Sequence, residues 1–198
     1  NKVFSSIDQY GRYAFSNQSR VAPWNLSRLA ETILFLISND TSDAIKVVEE
    51  ILFDFDKNFN ISLGILSSRK LGFKNNSKKA SSLYSELLSL MEAGKADFTG
   101  TFKSLKTTLI KEDDTIFSNN FRESNEDSQF AINQWLGTWR KLLQENSKGK
   151  TEAIELLSSS NPEFIMRNHL VEKAIRKATM GVFSDFEILC DLLITPFE

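Results

Sequence analysis

Chemistry in this chain of 198 residues would have to be built from few parts. There is one histidine, His169, and one cysteine, Cys190. A Ser/His/Asp or Cys/His arrangement would have to use His169 as base, with Cys190 or a serine as nucleophile. Both residues lie inside helical patterns, Cys190 on an apolar face. A packed or capping histidine and a core cysteine are therefore the expectation. The acid pairs Glu49-Glu50, Asp113-Asp114 and Glu126-Asp127 would need to converge in a shielded pocket to act as general acid and base. Adjacent acids on a helix surface or loop face water instead. The eight glycines are scattered and form neither a G-x-G-x-x-G nor a G-x-x-x-x-G-K-S/T phosphate loop. One histidine and one cysteine also leave no His/Cys set for zinc. No catalytic, cofactor-binding or metal-binding residue is assigned.

Two polar groups stand out from the helical background. Arg167-Asn168-His169 is the densest polar triplet inside an apolar helical pattern. Arg12, Tyr13, Asn17, Gln18, Trp24 and Asn25 lie in an aromatic-rich opening stretch, residues 10–29. Arginine can hold phosphate in a two-pronged grip, but it can equally lock a segment onto a helical bundle. With no phosphate loop beside them, structural anchoring is favoured for both groups. The basic residues 69–79, with Phe73 among them, have the mix of a nucleic-acid surface. On a chain of net charge -2, with 24 basic and 26 acidic residues, they read as a solvated loop.

These residues need helices to position them. Pro23 fits the first position of a helix, followed by an apolar stripe through Ile37. Asp40 or Thr41 caps a second helix through Phe59, and residues 70–79 form a surface loop. A helix over residues 77–92 stops at Gly94, and Asp97 caps the next one, through Leu109. Residues 126–146 form a helix with Phe130, Trp135, Leu136, Trp139, Leu142 and Leu143 inward, ended by Ser147-Lys148-Gly149-Lys150. After a short helix over 151–158, Asn161-Pro162 signals a further start, with Phe164 and Ile165 in its first turns and Gly181 at its end. Ser184 opens the last helix. The fold class is all-α: an irregular segment over residues 1–22, then a single helical domain over 23–198 with about eight helices.

Hydrophobic residues make up 41% of the chain and charged residues 25%, which suits a substantial buried core; the 16 Phe imply many bulky positions in it. A single cysteine rules out an intrachain disulfide and fits a reducing compartment. The apolar run over residues 32–38 is far short of the ~20 residues of a membrane span. Neither a membrane nor a nucleic acid is expected as partner. The Lys-, Asn- and Ser-rich composition suits a bacterial cytoplasm. The opening Asn1, with no start signal around it, suggests a chain cut from something longer.

Several segments, taken in order, resemble the selenoprotein O (YdiU) family. Gly11-Arg12-Tyr13-Ala14-Phe15-Ser16-Asn17-Gln18, then Trp24-Asn25-Leu26 and Arg28-Leu29-Ala30, is similar to that family's G-R-Y, N-Q and W-N-L-x-R-L-A elements. Lys70-Leu71-Gly72-Phe73 resembles its K-L-G segment. Leu90-Met91 and Asp97-Phe98-Thr99-Gly100-Thr101-Phe102 resemble its L-M and D-F-T segments. Asn161-Pro162-Glu163-Phe164-Ile165-Met166-Arg167-Asn168-His169 resembles its N-P and R-N-H segment, and Pro196-Phe197 its closing P-F. Ser19 stands where the family usually has proline and Lys103 where it has arginine. Phe4-Ser5-Ser6-Ile7-Asp8 departs from the family's C-N-H-S-D and lacks its cysteine.

The resemblance implies the C-terminal part of a protein-kinase-like enzyme that transfers AMP from ATP to protein hydroxyls with magnesium. The family's nucleotide loop and its H-G-x-x-N-T-D-N and D-Y-G-P-F segments lie upstream of G-R-Y and match no position here. The family's C-terminal Cys or selenocysteine tail is not matched either. The expectation is a supporting helical half that is inactive alone, with ATP and magnesium belonging to the full-length parent. Its partners would be the N-terminal kinase-like portion and the parent's protein substrates. The alternative is a stand-alone helical module that binds another protein and has no enzymatic activity.

Overall fold

A computed structural model describes residue 3, residues 7–146 and residues 149–198. Among these residues there is no strand. After a 3-10 turn at Phe15–Asn17, the helices are α1 (Gln18–Ile37), α2 (Thr41–Phe53), α3 (Phe55–Lys70), α4 (Lys78–Ala93) and α5 (Phe98–Lys111). There follow α6 (Thr115–Ser118), α7 (Glu126–Asn146), α8 (Lys150–Ser160), α9 (Asn168–Ala178) and α10 (Ser184–Ile194). The chain is all-α with an irregular start. It divides into two compact units, Asn1–Gly64 and Ile65–Glu198, where the sequence suggested a division at residue 22. The expected stop at Ser147-Lys148 and the departure at Phe4-Ser5-Ser6 lie outside the described residues.

In the first unit α1 packs on α2. The helix begins at Gln18, not at Pro23 as the sequence suggested, and Pro23 lies inside it. The 3-10 turn at Phe15–Asn17 runs directly into α1, so the helical geometry is already set before Pro23 arrives. Proline in that position leaves the Ser19 carbonyl without its helical N–H donor. Asp40 caps α2, its carboxylate accepting from the Ser42 and Asp43 N–H groups. Burial is sparse, with Ala14 and Ala44 the apolar residues fully covered among those described. Phe35, Leu36, Ile51 and Phe53 are 66–86% exposed.

The second unit carries a large core. Leu83, Leu87 and Met91 of α4, Phe102 and Leu105 of α5, and Leu157 of α8 close around Ile132, Trp135, Leu136, Trp139 and Leu143 of α7. The α7 positions recur at three and four residues, the period that keeps one helical face inward. Both indoles reach across to other segments. Trp135 Nε1 donates to the Leu83 carbonyl at 2.9 Å and Trp139 Nε1 to the Leu71 carbonyl at 2.8 Å. The rings of Phe117, Trp135 and Trp139 stack in series. Phe130, expected inward, is 64% exposed, because it falls about 200° around the helix from Ile132.

Two further expectations are corrected here. The stretch 70–79 is not simply a surface loop. Leu71, Gly72 and Phe73 are buried at the corner between α3 and α4, and only the polar residues after them are exposed. Gly72 has φ +82°, and a Cβ there would meet the Leu157 side chain at 3.2 Å and the Ala153 carbonyl at 3.3 Å. The corner therefore requires glycine. Second, Asn161-Pro162 does not start a helix. Asn161 follows α8 with φ -123° and ψ 109°, and the chain stays irregular until α9 begins at Asn168. A residue before proline is pushed toward extended backbone, and tertiary bonds hold the segment that way.

Candidate functional site

Those tertiary bonds gather four of the motif segments at one junction of the second unit. The Asn161 side-chain amide, 3% exposed, donates from Nδ2 to the Lys70 carbonyl at 2.9 Å. The Glu163 and Phe164 N–H groups donate to the Pro196 carbonyl at 2.7 and 3.3 Å. The Glu163 carboxylate bridges Lys103 and Lys106 of α5 at 2.8 and 2.6 Å. Arg167 then closes on Asp97 in a two-pronged pair, Nη1 to Oδ2 at 2.8 Å and Nη2 to Oδ1 at 3.0 Å. Residues 161–167 thus form a strap tied at both ends, between α8 and α9.

Asp97 has two roles. Its carboxylate caps α5 by accepting from the Gly100 N–H at 2.6 Å, and it takes the Arg167 guanidinium. Its own N–H donates to the Asn120 carbonyl at 3.0 Å. A Cβ at Gly100 would come within 2.5 Å of Asn120 Oδ1, so the first turn of α5 leaves no room for a side chain there. The Arg167 hydrogen bonds, helped by the Gly100 N–H and against the pull of burial, hold the Asp97 carboxyl below its ordinary range. The same pair raises Arg167 above its already high value. Lys103 and Lys106 likewise hold the Glu163 carboxyl down.

Lys70 lies at the same junction and is not matched by an acid among the described residues. The last residue of α3, it points its ammonium at the face of the Phe102 ring, 4.6 Å from the centroid, with Phe98 at 6.0 Å. The ammonium donates to the Ser160 carbonyl at 3.4 Å. Burial pushes its ammonium down to about 8. The sequence placed Lys70 in a resembled motif but gave no sign of this environment. That environment is made by the ring faces of Phe98 and Phe102, which the fold brings beside it.

The opening stretch is organised by local bonds. The Asp8 carboxylate accepts from the Arg12 and Tyr13 N–H groups, both at 2.8 Å. Gly11 turns with φ +66°, and its carbonyl accepts from Asn17 Nδ2 at 2.8 Å. The Arg12 guanidinium lies 4.3 Å from the Trp24 ring centroid and 5.8 Å from that of Tyr13. Gln18 and Asn25 are exposed on α1, and Asn168 and His169 are exposed on the first turn of α9. Cys190, expected in the core, is exposed, because the buried position of α10 is Leu189, about 100° away.

Three cations at the junction are paired in place: Arg167, Lys103 and Lys106 each face a carboxylate. Among the described residues no three His, Cys, Asp or Glu side chains converge where a metal ion could be held. Among the described residues no helix is long and apolar enough to cross a membrane. The arrangement is a clamp: it fixes the strap to the start of α5 and to the α3–α4 corner.

Comparison with known proteins agrees in extent with the motifs. The family model for Protein adenylyltransferase SelO matches residues 3–193. The chain is similar to Protein nucleotidyltransferase YdiU of Bacillus cereus (strain AH187), 34% identical over 196 residues, covering 98% of this chain and 38% of that protein. It is also similar to Protein nucleotidyltransferase YdiU of Rhizobium meliloti (strain 1021), 38% identical over 198 residues, covering 99% of this chain and 39% of that protein. The chain spans about two-fifths of the length of these curated relatives.

Proposed function

The chain belongs to the protein adenylyltransferase SelO family, and we propose that it is the C-terminal helical portion of such an enzyme, supporting an active site carried by the rest of the parent. In this reading the parent transfers AMP from ATP to hydroxyl groups of proteins, with ATP and magnesium bound by its N-terminal kinase-like portion, in a bacterial cytoplasm. The contribution of this chain is mechanical. Rigid placement of a reactive constellation by groups that do no chemistry can change a rate greatly.

One observation carries the proposal. Four of the motif segments meet at a junction where Arg167 is paired with Asp97, and both Lys103 and Lys106 with Glu163. Residues selected to grip a nucleotide would leave a cation turned outward. The exposed apolar residues of the first unit, Phe35, Leu36, Ile51 and Phe53 among them, supply surface for a protein partner. The N-terminal portion of the parent is the partner we assign to it. The same surface would also serve the alternative, a stand-alone module that binds another protein.

Incubating the purified chain with α-labelled ATP, magnesium and candidate protein acceptors tests the reading. The expected result is no transfer of label and no saturable nucleotide binding. Transfer of AMP by this chain alone would overturn it.

A further inference from the structure

The Lys70 ammonium is used neither by the clamp, which takes only the residue's carbonyl, nor by the function proposed above. The carboxylates that face this junction are committed elsewhere, Asp97 to Arg167 and Glu163 to Lys103 and Lys106. What surrounds the Lys70 amine is an aromatic face, that of Phe102, and one carbonyl, that of Ser160. The residue nonetheless keeps partial access to solvent. Such a setting, with apolar walls, one acceptor and no counter-charge among the described residues, is where a lysine becomes a nucleophile. We propose that Lys70 is an acylation site of this protein, taking a small acyl group from an acyl phosphate.

The reaction balances without an oxidant or a metal. The neutral Nζ attacks the acyl carbonyl carbon and forms the C–N bond. The C–O bond to phosphate breaks, phosphate leaves with the electron pair, and the amine gives up one proton to solvent. The product amide keeps an N–H that can still donate to the Ser160 carbonyl. Its acyl methyl group comes to lie on the Phe102 ring in place of the ammonium. Acylation therefore removes the charge that the site does not neutralise and keeps the hydrogen bond that it does make.

Burial supports the rate. An amine titrating near 8 is about a quarter neutral at pH 7.5, against roughly a thousandth for an ordinary lysine. Lower basicity gives back part of that gain of about 200-fold, because nucleophilicity falls with pKa. An advantage of about tenfold over an exposed lysine is expected to remain.

The experiment exposes the folded chain to acetyl phosphate at pH 7.5 and follows each lysine by peptide mass spectrometry. Lys57, Lys78 and Lys141, which are exposed, are the internal references. The expected result is that Lys70 is acetylated about tenfold faster than all three, and that the lead disappears in denaturing urea, where the Phe102 environment is lost. Equal or slower acetylation of Lys70 in the folded chain would overturn the proposal. So would a lead that persists unchanged in urea, because the cause would then be local sequence and not the folded site.

Discussion

The Asp97–Arg167 pair gives a quantitative test of the clamp. Asp97→Ala removes the cap acceptor for the Gly100 N–H, which is worth about 1 kcal/mol. It also removes a two-pronged charged pair whose side chains are 28% and 41% exposed. Partial exposure keeps such a pair near the upper end of surface values, about 1 kcal/mol. The expected total is therefore about 2 kcal/mol. Asp97→Asn retains a cap acceptor and should lose only about half as much. A urea-unfolding cycle of Asp97→Asn, Arg167→Met and the double variant should return a coupling energy of about 1 kcal/mol.

The pH dependence of that coupling has a definite sign. Arg167 holds the folded-state Asp97 carboxyl below its unfolded value, so the stabilisation is complete above about pH 3.9. It is lost as pH falls through the folded-state value. The coupling should therefore shrink in acid. A coupling within about 0.3 kcal/mol of zero at neutral pH would refute the reasoning, because the pair would then be incidental to the strap. A coupling unchanged in acid would refute its electrostatic origin.

Three further outcomes follow from the same geometry. Gly72→Ala, at φ +82° and with contacts at 3.2–3.3 Å awaiting its Cβ, should destabilise the second unit by about 1–3 kcal/mol in chemical denaturation. Trp139→Phe should cost about 1–3 kcal/mol by the same measurement, since it strips the buried Leu71 carbonyl of its indole donor. Lys70→Met should raise stability at pH 7, where the wild type holds a partly buried ammonium, and the gain should shrink by about 2 kcal/mol at pH 9.5. The sign follows because the folded-state value is about 8 and the unfolded value 10.5, so between them the unfolded chain binds the extra proton.

The helix starts that were legible in the sequence are those set by local chemistry. Asp40, Ser77 and Asp97 each cap a helix where the sequence suggested one, since an acceptor followed by an apolar stripe is a short-range signal. Asn161-Pro162 carries the same signal, but distant partners override it: the Lys70 carbonyl takes the Asn161 amide, and the Pro196 carbonyl takes the next two N–H groups. Leu71-Gly72-Phe73 was masked by the lysines and asparagines around it, though it is buried at a corner. Arg167 was legible as an unusual arginine, but its partner is 70 residues away in sequence and no local pattern names it. Lys70 was legible only as a member of a motif. Its reactivity depends on Phe98 and Phe102 packing beside it, which is a property of the fold.

The central claim is that this chain supports an active site it does not itself contain. Reconstitution tests it most directly: the chain is mixed with the separately produced N-terminal portion of a YdiU relative, and AMP transfer from labelled ATP is measured for each part and for the mixture. The account predicts no transfer by this chain, little or none by the N-terminal portion, and transfer by the mixture as the two co-purify. Full transfer by the N-terminal portion alone, unchanged on adding this chain, would contradict it.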